Sequence, residues 1–375
     1  MESGQMRTVH RLTLALAVIA LGAALPLAAQ EPPGEEDAIT QLQSKNVLTD
    51  EDTAAVRAWV AQRVQTIGAA DPSGSTAAVK DLRGQFKGTQ SFKQAYADAN
   101  VEAIRAAYKR AKRNSAAQLI ALLNTLNDES AAPLLIEALS DERVSVRSAA
   151  AIGLHNLRQA MADAGGTLVS ESIAALRDAG QRETSPVALK LIYRAMDYTS
   201  LAANPNAQAN AAALLALLEA RGEQYAGRDA KAVGADRTGL ELAGKLTAQL
   251  DEQGRRRLAI AAARMLHYAV TRYTTELYKI QDKSSGPLQI SSRNRTERLI
   301  VTAEQLLSSL TAPPTKSDFR TVTVEMQEKT EDDKATDMKI AMNTWADSVQ
   351  DRLQIDVHMD VGEGADEGEG DAPNP

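Results

Sequence analysis

The most constraining stretch of this 375-residue chain runs from Pro133 to Leu157, PLLIEALSDERVSVRSAAAIGLHNL. Leu134, Leu135, Ala138 and Leu139 fall on one face of a short helix. Pro133 suits its first turn, where a missing N–H costs nothing. Ser140-Asp141-Glu142-Arg143 then breaks the apolar pattern with a polar turn. Val146, Ala149, Ala150, Gly153, Leu154 and Leu157 follow at i, i+3, i+4, i+7, i+8 and i+11, the stripe of an amphipathic helix. The small residues at 149–151 and 153 leave room for a neighbouring helix. A helix pair this short cannot bury its apolar face alone, so it requires stacked neighbours.

Such neighbours are legible on both sides. Ala116, Leu119, Ile120, Leu123 and Leu126 make a preceding stripe, and Leu123 and Leu126 lie 31 positions before Leu154 and Leu157. Downstream, Leu168–Ala179 and the segment after Pro186, with Val187, Leu191, Arg194 and Met196, form a more degenerate pair. The run Asp141-x-x-x-x-Val146-Arg147-x-Ala149-Ala150-Ala151-x-x-Leu154 resembles a HEAT-type repeat, of the class also found in phycobilisome-lyase-like proteins. That resemblance covers about 25 residues. It implies an α-α superhelix in which Pro133, Asp141, Val146, Arg147, Ala149, Ala150 and Leu154 are structural, with Asp141 and Arg147 tying turns together. The second degenerate unit has Pro186-Val187 where the family has Val-Arg. The module serves many roles, so it leaves function open.

The helical pattern extends well beyond this core. Thr49 with Asp50, Glu51 and Asp52 opens a helix carrying Val56, Trp59, Val60, Val64 and Ile67, and a turn is expected at 68–75. Helices are then expected over 76–86, 92–113, 211–220, 236–250, 255–280 and 293–310, with a loop at 227–234. The helical-repeat domain accordingly spans 49–312, with its HEAT-like core at 115–200. Beyond Pro314 the period changes. Val322, Val324 and Met326 alternate with polar residues, as do Leu353, Ile355, Val357, Met359 and Val361, which predicts strands. Between them Met338, Ala341, Met342, Trp345 and Val349 form a helix stripe. The fold class expected is therefore mainly α, a HEAT-like solenoid with a small strand–helix–strand module at 315–361. Two strands leave open edges, to be completed by another segment such as 288–291 or by a partner, which makes this module the expected oligomer contact if it is not simply an end cap.

The termini read differently. Arg7 and Arg11 precede an apolar run, Leu12 to Leu25, and Leu27-Ala28-Ala29 offers a small-residue cleavage site. Residues 1–29 thus read as a signal peptide, with an uncleaved anchor as the alternative. Cleavage leaves no stable membrane span and predicts a periplasmic or secreted protein. Residues 30–48 read as a flexible leader, and the Gly-, Pro- and acid-rich 362–375 as a disordered tail.

Composition narrows the chemistry. The chain has no Cys, which rules out disulfides, thiolate metal sites and a Cys nucleophile. A net charge of −7 argues against a nucleic-acid partner. The basic run Lys109–Arg113 and the triplet Arg255–Arg257 read as solvated helix surface. His10, His155, His267 and His358 lie on separate elements without metal-ligand spacing. No phosphate loop, nucleophile elbow or acid–base pair stands out, so no catalytic, cofactor or metal residue is assigned. The expected function is a non-catalytic protein-binding scaffold in the cell envelope. The alternatives are a structural or wall-associated envelope component and an enzyme or lyase with a site between repeats.

Overall fold

The computed structural model describes residues 35–353 apart from 70–71, 202–205, 229, 281–285, 312, 316–318 and 329–330. The protein is mainly α, and no strand occurs among the described residues. The helices are α1 (Glu35–Leu42), α2 (Asp50–Gly68), α3 (Pro72–Gly84), α4 (Gln90–Tyr108), α5 (Arg113–Leu123), α6 (Ala132–Ala138), α7 (Val144–Ala164), α8 (Leu168–Arg182), α9 (Pro186–Ala195), α10 (Ala207–Ala226), α11 (Val233–Leu246), α12 (Glu252–Arg272), α13 (Pro287–Leu310), α14 (Val322–Glu328) and α15 (Glu331–Leu353). A π-helical turn, Tyr273–Leu277, extends α12.

Local chemistry sets several helix starts. Thr49 and Asp52 form a reciprocal capping box at α2, with Thr49 Oγ1 accepting from the Asp52 N–H at 3.1 Å. Asp251 caps α12 by accepting from the Gly254 N–H at 2.6 Å. Pro72, Pro186 and Pro287 each open a helix, as a residue without an N–H can. Pro287 begins α13, six positions before the expected start at 293.

Consecutive helices pack as pairs: α2/α3, α4/α5, α6/α7, α8/α9, α10/α11 and α12/α13. The second helices run in one row, with α3 on α5, α5 on α7, α7 on α9, α9 on α11 and α11 on α13. The first helices make the other row. There α2 meets α4, α6 meets α8, α8 meets α10 and α10 meets α12, and a 3-10 turn, Glu129–Ala131, joins α4 to α6. The stripe of α7 faces this interior: Val146, Ala150, Leu154 and Leu157 are fully buried. Gly153 sits where a Cβ would come within 2.7 Å of Leu135 Cδ2, so its missing side chain lets α7 close on α6.

Several expected boundaries shift. The helix expected over 92–113 ends at Tyr108, and 109–112 becomes the turn that leads into α5, the helix of the 116–126 stripe. The α10 helix runs longer than expected at both ends. Within the expected flexible leader, residues 35–42 form α1, anchored by buried Ile39 and Leu42.

The C-terminal region differs most. The segment read as the first strand is α14, with Val322, Glu325 and Met326 buried at i, i+3 and i+4. Over five residues a period of 2 and a period of 3.6 share enough apolar positions to be confused. The decisive contact is remote. The Glu304 carboxylate accepts from the Val322 N–H at 2.7 Å and the Thr323 N–H at 2.8 Å, which fixes a helix N-terminus there. Glu304 Oε1 also accepts from Trp345 Nε1 at 2.8 Å, pinning α15 to α13. Met338, Ala341, Met342, Trp345 and Val349 of α15 are all buried, and Phe319 meets Trp345 edge-on at 5.7 Å. Helix α15 packs on α12 and α14 packs on α13, so the two close the end of both rows. The segment 288–291, considered as a further strand, belongs to α13. The expected oligomer contact through open strand edges loses its basis among the described residues. The segment read as a signal peptide, residues 354–361 of the second expected strand and the acidic tail lie outside the described residues.

Candidate functional site

Polar side chains cluster at two junctions between helix pairs. The first is the set of turns on either side of α6 and α7. Pro133 lies in the first turn of α6 and is exposed; Val146, Ala149, Ala150 and Leu154 lie on the inward face of α7. Asp141 sits in the α6–α7 turn. Its Oδ1 accepts from Arg143 N at 2.9 Å and Arg143 Nε at 2.8 Å, and its Oδ2 from Arg143 Nη2 at 2.8 Å. Arg143 in turn reaches back across the stack, donating to the Ala111 carbonyl at 2.9 Å and the Tyr108 carbonyl at 3.3 Å. Those are the end of α4 and the turn after it, where orphan carbonyls need donors.

Arg147 reaches the other way. Its Nε and Nη2 make a two-pronged bond to Glu183 at 2.7 and 2.8 Å, while Nη1 donates to the Asp141 and Glu142 carbonyls. Glu183 precedes α9, and its Oε1 also accepts from the Thr184 and Ser185 N–H groups at 3.0 and 2.8 Å. One continuous set of bonds thus links three successive turns, at 108–111, 141–147 and 183–185. Sequence reasoning singled out Asp141 and Arg147 and missed Arg143 and Glu183.

Both carboxylates are held charged. The Arg143 guanidinium keeps the Asp141 carboxyl below its ordinary value. Burial pushes Glu183 up, but the Arg147 bond and the two backbone N–H groups outweigh it and leave the carboxyl lowered. Nearby, burial and the adjacent Glu137 push the Tyr108 hydroxyl up to about 12. A shallow cavity of about 340 Å³ opens over this junction, with Asp141, Arg147, Arg182 and Glu183 on its walls. Asp141, Arg147 and Glu183 already satisfy one another and the neighbouring turns, which suits a staple better than a reaction centre.

The second cluster is fully enclosed between α9, α10 and α11. Arg221 is 1% exposed and Asp236 is 0% exposed. Arg221 Nε and Nη2 donate to Asp236 at 3.0 and 2.7 Å. Tyr193 and Tyr225 each donate a hydroxyl to the same carboxylate at 2.7 Å. Gly239 makes this possible, because a Cβ there would lie 2.5 Å from the Tyr193 ring. The remaining guanidinium donors go to Gln224 Oε1 and the Lys231 carbonyl. Burial first, and then the Asp236 charge, push both tyrosine hydroxyls well above their ordinary value. Neither Arg221 nor Tyr193 was singled out in the sequence.

Other candidates separate in space. Lys109 pairs with Glu137 at the α4–α5 turn, and Arg255, Arg256 and Arg257 are exposed on α12. His155 donates Nδ1–H to the Arg194 carbonyl at 2.9 Å, joining α7 to α9. His267 is buried in α12, while His10 and His358 lie outside the described residues. No group of three metal-ligating side chains comes together among the described residues. No helix among them is long and apolar enough to cross a membrane. No protein-family model matches the chain, and no curated protein or solved structure does.

Proposed function

We propose that the chain is an exported α-α superhelix of HEAT-like type that acts as a non-catalytic scaffold for protein partners in the cell envelope. The observation that carries this reading is the packing pattern: each helix touches its own partner and the adjacent pairs, along two rows. Faces built that way are continuous and extended, and suit protein surfaces better than small substrates. The turn-to-turn bonds of Arg143 and Arg147 supply the rigidity such a face needs, and Asp141 and Arg147 act as scaffold residues. Exposed apolar side chains occur on adjacent helices of one row, Ile152 on α7 and Val187 on α9. The apolar run before Gln30 supports export.

N-terminal sequencing of protein taken from the periplasmic fraction tests export, with a start near Gln30 expected. For the scaffold, crosslinking and mass spectrometry on envelope fractions compares the native chain with the double variant Ile152→Lys, Val187→Lys. The variant should melt normally and lose partners that the native chain captures reproducibly. An unchanged partner set, or a chain found in the cytosol with residues 1–29 intact, contradicts the reading.

A further inference from the structure

The loop between α10 and α11 is held in a conformation that its residues disfavour. Arg228 has φ +56° and Ala232 has φ +62°, two left-handed non-glycine residues within five positions. The buried cluster described above holds this loop from inside. Arg221 donates to the Lys231 carbonyl, and the Tyr225 hydroxyl reaches the Val233 carbonyl at 3.3 Å. Strain of this kind persists only where the surroundings over-determine it, and it concentrates at ligand clamps.

The opposing wall is irregular as well. Helix α12 passes into the π turn at 273–277, closed by the Tyr278 N–H on the Tyr273 carbonyl at 2.9 Å. Such turns are rare and frequent at functional sites. Between loop and helix lies a cleft of about 360 Å³, lined by Arg228, His267, Tyr268, Thr271, Arg272, Thr275 and Glu276. That volume falls within the range of small-molecule sites.

The lining favours an anion. Two guanidinium groups and an imidazole face one carboxylate. Arg272 meets that carboxylate, Glu276, only at 3.4 Å through Nε, and Glu276 is itself 64% exposed. Beyond that ion pair the Arg272 guanidinium makes no hydrogen bond among the described residues, and the Thr271 hydroxyl makes none there. Arg272 also lines a second cavity of about 220 Å³, with Ala232 of the loop and Arg295, Ser292 and Thr296 of α13. Tyr268 supplies a flat wall, positioned by its edge-on contact with Tyr225 at 5.0 Å. The buried Arg221–Asp236 cluster is thereby tied to the cleft through both the loop and this ring.

We propose that this cleft binds a small molecule carrying an oxyanion, carboxylate or phosphate, with Arg272 and Thr271 as donors and Tyr268 as the wall for its body. It gives a physical purpose to a strained loop, a π turn and a guanidinium without a hydrogen bond that converge on one volume.

The test titrates inorganic phosphate and benzoate into the full-length mature chain by calorimetry, against sodium chloride at matched ionic strength. Saturable binding of at least one anion is expected; phosphate alone identifies a phosphate site, and benzoate alone a carboxylate seated on Tyr268. Arg272→Gln should weaken that binding by about tenfold, the scale of one charge-assisted hydrogen bond. If Arg272→Gln does not fold, Thr271→Val takes its place, with a severalfold loss expected. Absence of saturable binding of both anions, or equal binding by the folded variant, overturns the proposal.

Discussion

The two polar clusters perform the same mechanical task in opposite surroundings. The Asp141–Arg143–Arg147–Glu183 set lies at the edge of the stack, where Arg147 and Arg143 keep 16% and 22% of their side chains exposed. It joins turns across three successive pairs and uses carbonyls that the helix ends would leave orphaned. The Arg221–Asp236–Tyr193–Tyr225 set lies inside, buried from the solvent that could replace a lost partner. A buried ion pair contributes little net stability against an apolar substitute, yet removing one member leaves a bare charge. The edge cluster is therefore the more forgiving of the two, and the inner one the less. The contrast teaches that junctions between helix pairs can be fixed from either side of the core.

The sharpest way to break the comparison is Asp236→Ala. It strands Arg221 and two tyrosine hydroxyls in the core, and about 4 kcal/mol of loss is expected in urea unfolding. A loss below about 1 kcal/mol would make the inner cluster dispensable. Arg147→Ala removes the partner of Glu183, which is 3% exposed, so about 3 kcal/mol is expected, reduced where water reaches the turn. Should Arg147→Ala prove the costlier of the two, the ranking of edge against interior is reversed.

pH separates the clusters without large damage. Asp141 and Glu183 have lowered pKa values in the fold. Below their ordinary values of 3.8 and 4.5 the unfolded chain takes up protons first. Their contribution is thus fully present above that range and lost as pH falls through the lowered folded values. Tyr193 and Tyr225 are raised above 10.0, so the unfolded chain releases their protons first as pH rises past that point. Their contribution is present below it and lost in alkali. Glu183→Gln should flatten the acid limb of a stability–pH curve, and Tyr193→Phe the alkaline limb. An exchange of those two effects would show that the clusters have been assigned the wrong electrostatics. The smallest effect is Glu142→Asp. Its side chain is exposed and only its carbonyl serves Arg147, so thermal melts should move by no more than about 0.5 kcal/mol equivalent.

Legibility in the sequence follows the same divide. The α7 stripe was readable because six small or apolar residues recur at helical spacing and meet one interior. Asp141 and Arg147 were singled out only through the HEAT-type resemblance of the turn and stripe in which they lie. Arg143 and Glu183 were not, since the Ala111 carbonyl and the Arg147 side chain that they reach lie 32 and 36 positions away and spacing carries no record of them. The inner cluster left a fainter trace. Leu214, Leu218, Arg221 and Tyr225 all lie on one buried stripe, so a charge at a core position of α10 was the available signal. Asp236 read only as a helix start. At the C-terminal end the short alternation at 322–326 was ambiguous, and Glu304, 18 positions earlier, decides it. The cleft beside the π turn was invisible, because neither a π turn nor a left-handed Ala232 has a residue signature here.

The central claim is that neighbouring pairs are coupled locally, through their own junctions, along a stack. Native-state hydrogen exchange on Arg147→Ala tests it most directly, because exchange resolves stability helix by helix. Amides of α6, α7 and α9 should lose protection first, while α12 and α13 keep theirs close to the native level. Equal loss in every helix would show one undivided cooperative core and contradict the account.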